Sequence, residues 1–193
     1  MNTTTLFRVS VVVLLGAALV SALFIFRNDD DGLSGSELKE LQDYYAEVNQ
    51  ITAISDTEIQ NLRAEHPEAE TDPEAAKIYY QAFFDAYQRF IDNTDAIEPP
   101  DTVSPEHEEF VSASLALQSF NFTRLQSMQD AATIEEIEAL FETTIEYSRA
   151  VDRQQEACAD LGDVAKAFAI EAPSITRCDH PVVIEQTVEP SPS

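Results

Sequence analysis

The residues best placed for chemistry lie in one short acidic segment. His107 stands between Glu106 and Glu108, and Glu109 follows directly. Imidazole and carboxylate groups together can hold a divalent cation. Successive helical residues point about 100° apart, so only Glu106 and Glu109 share a helix face. Acids in a first helical turn also match the helix dipole without any ligand. We therefore expect no metal site, and His107, Glu106 and Glu109 are weak candidates.

The two cysteines, Cys158 and Cys178, are separated by nineteen residues. They form no Cys-x-x-Cys redox motif, and with three scattered histidines they make no zinc pattern. The arrangement favours a structural disulfide that clips the C-terminal tail to the body of the protein. In the chain-entropy model a loop of this size stabilises the fold by about 3 kcal/mol. Such a bond is expected outside the cytoplasm.

Other possible sites are poorly supported. Asp29 to Gly32 resembles part of a calcium loop, but the first and last ligand positions fall on Arg27 and Leu38. The glycosylation sequon that begins at Asn121 lies within a predicted helix, where modification is not expected. Familiar catalytic and nucleotide-binding motifs are missing, so we expect no enzyme and no cofactor. Six aromatic residues share a helical face that suits a core better than a ligand pocket: Tyr79, Tyr80, Phe83, Phe84, Tyr87 and Phe90.

The most specific segment of the chain is an uncharged apolar run of 18 residues, Val9 to Phe26, between Arg8 and Arg27. Crossing a hydrocarbon core takes about 20 apolar residues, whereas signal peptides usually have shorter cores. The run therefore predicts a single-pass transmembrane anchor. Cleavage after Ala22, which would release a secreted protein, is the alternative. The short N-terminal tail and the cysteine pair place residues 28–193 outside the cytoplasm, although the basic residues flanking the run do not favour this orientation.

The charge of the chain is strongly negative. It has 36 acidic and 11 basic residues, a formal net charge of −25, and every acidic residue follows Arg27. Such a surface opposes binding to nucleic acid and to anionic lipid. The negative charge indicates a solvated surface that resists association. Recruitment of cations or of a basic partner is the alternative interpretation of this charge.

Helical periodicity after residue 33 predicts an all-α domain of four amphipathic helices. Each helix begins at a capping residue: Ser34, Asp72, Ser104 and Thr133. They end near Arg63, Ile97, Asp130 and Pro173. A second capping box at Ser55–Glu58 allows a break in the first helix. Short loops between the helices predict an up-down-up-down bundle.

The predicted organisation has five parts. Residues 1–8 are a short cytoplasmic N-terminus, and residues 9–26 are the transmembrane anchor or signal peptide. Residues 27–35 are an acidic juxtamembrane linker, and residues 36–170 are an extracytoplasmic helical bundle. Residues 171–193 are a tail that is disordered at its end.

The layout resembles a group of exported bacterial proteins of uncharacterised activity. The resemblance rests on Pro99-Pro100, on His107 at an acidic helix start, on Leu161 three residues after Cys158, and on the final Cys178. It covers residues 75–180. It implies an anchored or secreted helical domain with a disulfide, and it implies no activity.

These features predict a membrane-anchored interaction or structural module. We expect it to dock to another envelope protein, or to associate with itself, through the polar bundle face or the proline-containing tail. A binding module for a divalent cation or a small apolar ligand is the alternative.

Overall fold

The computed structural model describes residues 32–142 and 144–170. All helices of these described residues lie after Ser34, in the compact unit that begins at Gly35. These described residues form five α-helices and one 3-10 helix, without a strand, which confirms the all-α prediction for this part of the chain. The helices are α1 (Gly35–Glu65), the 3-10 helix (Pro67–Glu70), α2 (Pro73–Asp95), α3 (Ser104–Met128), α4 (Ile134–Ala139) and α5 (Ile145–Ala167).

Capping explains where α2 begins, and it corrects the start of α3. The Asp72 carboxylate accepts hydrogen bonds from the backbone N–H groups of Glu74 and Ala75, as a cap should. Ser104 was predicted to cap α3. It is instead the first residue of the helix, and Val103 occupies the cap position without a side-chain hydrogen bond.

The break that the second capping box allowed in the first helix does not occur, because α1 is continuous over 31 residues. Its buried positions stay on one face through the second capping box, so the core gives the chain no reason to turn there. These positions are Leu41, Tyr44, Tyr45, Val48, Thr52 and Ser55.

The prediction of one long fourth helix is wrong. Two shorter helices, α4 and α5, replace it, and each has its own threonine cap. The Thr133 hydroxyl accepts a hydrogen bond from the Glu136 N–H, and the Thr144 hydroxyl accepts one from the Tyr147 N–H, both at 3.2 Å. The backbone at Thr144 is extended, with φ −90° and ψ 160°, so the helix cannot run through it.

The four long helices are antiparallel to their neighbours in sequence. Two contacts for each helix pair establish these directions. Between α1 and α2, Arg89 contacts Glu58 and Tyr79 contacts His66; between α2 and α3, Phe90 contacts Phe110 and Lys77 contacts Gln129. Between α3 and α5, Arg153 contacts Glu109 and Tyr147 contacts Arg124.

Apolar side chains from the five α-helices fill the interior. One cluster joins the first half of α2 to the end of α3 and to α4, and it includes Phe84, Met128 and Ile137. A second cluster joins α3 to α5 through Leu117, Tyr147 and Val151. Full burial of a large apolar side chain stabilises a fold by about 1.5–3 kcal/mol, so these clusters hold the helices together.

Two predicted features fall outside this description. The anchor predicted at residues 9–26 lies outside the described residues, and within them no helix is long and apolar enough to cross a membrane. Cys158 is buried in α5, but its predicted partner Cys178 also lies outside the described residues. The anchor and the disulfide therefore stay predictions.

Candidate functional site

His107 points into the protein from the first turn of α3. Only 3% of its surface is exposed, and its Nδ1 atom lies 3.0 Å from the Tyr44 hydroxyl of α1. Burial lowers the pKa of His107, against the opposing influence of the Asp95 and Glu108 carboxylates. Burial likewise raises the pKa of Tyr44. The pair is therefore a neutral hydrogen-bonded contact between two helices.

The two other metal candidates do not join His107. The Glu109 carboxylate receives hydrogen bonds from Arg153 at 2.7 and 3.1 Å, which lower the pKa of Glu109. One oxygen of Glu106, Oε2, is buried without a hydrogen-bond partner. In residues 32–142 and 144–170, no group of three or more His, Cys, Asp or Glu side chains is arranged to hold a metal ion.

Carboxylates crowd the surface where α3 meets the end of α5. Partial burial raises the pKa of Asp160, and the neighbouring carboxylates of Glu156, Asp163, Glu106 and Glu109 raise it further. This region is an electrostatic concentration of like charges rather than a preformed ligand cage.

The aromatic face of α2 is part of the core. Its rings contact one another and Phe141, which follows α4. The ring centres of Tyr80 and Phe141 are 4.6 Å apart, and those of Phe83 and Phe84 are 5.5 Å apart. Burial raises the pKa of Tyr80 to about 12. These side chains occupy the space that an apolar ligand would need.

A shallow depression of about 210 Å³ lies between α2 and α3. Its lining is mixed, since amide side chains surround two apolar ones: Gln81, Phe122, Leu125, Gln126 and Gln129. Phe122 is 39% exposed and Leu115, two turns before it, is 44% exposed. Exposed apolar side chains beside a depression suit contact with another surface better than they suit catalysis.

Sequence reasoning identified the apolar character of α3 but missed that part of this character faces outward. The signal was present, because residues 110–129 contain no acidic residue and one basic residue, Arg124. No other stretch of this length after Asp31 lacks an acidic residue. Arg124 is turned away from the exposed face, and its guanidinium lies 3.7 Å from the Tyr147 ring centre and 5.4 Å from that of Phe141.

Comparisons with protein-family models, with curated proteins and with solved structures gave no match. The resemblance to exported bacterial proteins therefore stays an expectation.

Proposed function

We propose that this chain is a membrane-anchored, extracytoplasmic helical module whose task is to bind another protein chain. One observation carries the proposal. In a chain with 36 acidic residues, the outward face of α3 exposes Leu115 and Phe122 with no acidic residue from 110 to 129.

The charge distribution supports a contact at this face. Carboxylates elsewhere on the surface repel other acidic molecules and favour solvation. An apolar, acid-free helix face has no such repulsion, and burying it against another chain removes apolar surface from water. The protein can therefore remain soluble over most of its surface and still associate in one place.

The first part of the sequence supports the proposed anchor, and the cysteine pair supports the proposed compartment. The uncharged run at residues 9–26 has the length of a membrane span. A disulfide between Cys158 and Cys178 would form in an oxidising compartment, which agrees with an extracytoplasmic bundle. Cleavage of the run as a signal peptide would instead release the same module as a secreted protein.

The geometry gives less support to a module that binds a cation or a small apolar ligand. The aromatic side chains of α2 pack against one another, and the Glu109 carboxylate forms an ion pair with Arg153. We therefore propose a role in assembly rather than in catalysis or ligand storage.

In-cell photo-crosslinking tests the proposal. A photoreactive residue placed at the exposed Ser119 in α3 should crosslink to a protein, whereas one at the exposed Gln60 in α1 should not. The crosslinked chain should stay with the membrane fraction, and added protease should reach residues 36–170 from outside the cell. No crosslinked product from Ser119, or equal crosslinking from Ser119 and Gln60, would contradict a specific contact at α3.

A further inference from the structure

The exposed face of α3 has the spacing of a helix-pairing seam. Seven exposed residues follow one another at alternating intervals of four and three, and we call them the outer seam of α3: Glu108, Ser112, Leu115, Ser119, Phe122, Gln126 and Gln129. This spacing keeps side chains on one stripe of a helix that packs against another helix. The buried residues of α3 lie on other faces, so the seam is additional to the core.

The composition of the seam is unusual for the outside of this protein. Glu108 carries its only charge, and it stands at one end. Leu115 and Phe122 are the two large apolar residues, and the small Ser119 lies between them. Since a solvated helix face is normally polar or charged, the exposed Leu115 and Phe122 on this acid-free part of the seam indicate contact with another surface.

We propose that the outer seam of α3 binds the same seam of a second copy of this chain, with the two α3 helices antiparallel. This inference rests on the proposed function and names the partner. Like charge limits where two copies can meet, because two molecules with a net charge of −25 each repel least at a surface without acidic residues. From Ser112 to Gln129 the seam is such a surface.

The sequence of the seam also selects the antiparallel direction. A two-fold axis beside Ser119 sets Leu115 of each copy against Phe122 of the other, so both large apolar residues are covered. The serine side chain at the axis is small and allows the two helices to approach closely. The same register sets Glu108 against Gln129, an amide that can donate a hydrogen bond to the carboxylate. A parallel pair would instead bring the two Glu108 carboxylates together.

The size of the contact predicts its strength. The 25 residues of α3 span roughly 37 Å, and a strip of this length about 10 Å wide is small beside the ~800 Å² per partner of a standard interface. We therefore expect a weak dimer that dissociates on dilution. Anchoring in one membrane would raise the effective concentration and favour pairing. Added salt should also strengthen the dimer, because it screens the remaining repulsion.

The first test measures the mass of the full-length protein in detergent micelles across a concentration series, at low and at high salt. The parent should pass from monomer to dimer. Phe122→Glu should weaken self-association at least about tenfold, because it places a carboxylate against Leu115 of the other copy. Ile54→Glu is the matched control, since Ile54 is 59% exposed on α1 and should leave the dimer unchanged.

The second test fixes the register. Leu115→Lys and Phe122→Glu should each give monomers, and circular dichroism should show both to be helical. Mixing the two variants should restore a dimer, because the introduced lysine of one copy then faces the introduced glutamate of the other. At the other of the two symmetry-related contacts, the mixed dimer keeps the unchanged Phe122 of one variant against the unchanged Leu115 of the other. Failure of the mixture to associate would overturn the antiparallel register.

Two outcomes separate this inference from the proposed function. A parent that stays monomeric at every concentration and salt, with Ser119 crosslinking to a different protein, would overturn the second copy and leave the interaction module intact. A dimer that survives Phe122→Glu would overturn the seam itself. Absence of any crosslink from Ser119, together with a monomeric parent, would remove both proposals.

Discussion

The hydroxyl oxygen of Tyr44 lies 3.0 Å from Nδ1 of His107, although 63 positions separate the two residues in the chain. Their rings meet edge to face with centres 5.7 Å apart, and both side chains are buried. The contact fastens the first half of α1 to the start of α3. The buried site favours the neutral imidazole, since burial lowers the pKa of His107.

This contact makes stability depend on pH. His107 has a folded-state pKa below its ordinary value of 6.5, so the unfolded chain binds its proton more readily. The contribution of His107 to stability should be complete above about pH 6.5 and should be lost as the pH falls from there through the folded-state pKa. Urea unfolding between about pH 8 and pH 5 measures this loss. His107→Asn keeps a polar group near Tyr44 and should flatten this part of the profile. An unchanged profile in the variant would assign the pH dependence to other groups.

Arg124 should be the most important cation of the described bundle for stability. Its guanidinium lies against Tyr147 and Phe141, and its Nη2 atom lies 3.4 Å from the Glu142 carbonyl oxygen. Loss of these interactions in Arg124→Ala should cost about 1–2 kcal/mol of unfolding free energy.

Arg149→Ala is the matched control for Arg124, because it removes the same charge from an exposed position on α5. It should change stability by less than about 0.5 kcal/mol. Denaturant unfolding of both variants checks the difference. Equal losses would mean that overall charge, rather than contact with the aromatic rings, explains the effect of Arg124.

The cap at Thr144 should hold the boundary between α4 and α5. Its hydroxyl accepts a hydrogen bond from the Tyr147 N–H, so Thr144→Ala should cost about 1 kcal/mol. Thr57→Ala makes the same chemical change within α1, where the hydroxyl only donates to the Ala53 carbonyl, and should be neutral or slightly stabilising. Thermal unfolding of the two variants compares them. A larger loss for Thr57→Ala would contradict the role of the cap.

The Thr144 boundary also shows where sequence reasoning succeeds and fails. Pro73 after Asp72 announces a helix start through backbone geometry alone, and α2 begins there. The apolar spacing continues across the break at Thr144, because Phe141 before the break and Tyr147 after it both pack in the core. Periodicity reports which residues are buried, and it cannot report whether the backbone between them is continuous.

The candidate site was predictable in part. The acid-free stretch of α3 can be read from the sequence directly, although its outward exposure depends on which neighbours cover the helix. The contact between Tyr44 and His107 has no local signal, because it exists only once α1 and α3 have packed. Glu109 shows the same limit: its partner Arg153 stands 44 positions away.

The predicted disulfide can be tested by comparing two variants. Cys178→Ser should remove the bond without altering the core, lower stability by about 3 kcal/mol and expose residues 171–193 to protease. Cys158→Ser should do the same and cost somewhat more, because it also places a hydroxyl in a buried position of α5. Intact mass should show the parent two hydrogens lighter than its reduced form. A tail that is equally protected in Cys178→Ser would contradict the clip.

The packing of α3 determines when the sequon that begins at Asn121 could be glycosylated. The Asn121 side chain is only 4% exposed, and its amide donates a hydrogen bond to the Gln118 oxygen at 3.2 Å. A glycosyltransferase can reach this nitrogen only before α3 packs against its neighbours. In a host with such an enzyme, the fraction of chains that carry a sugar would therefore measure how often modification overtakes folding.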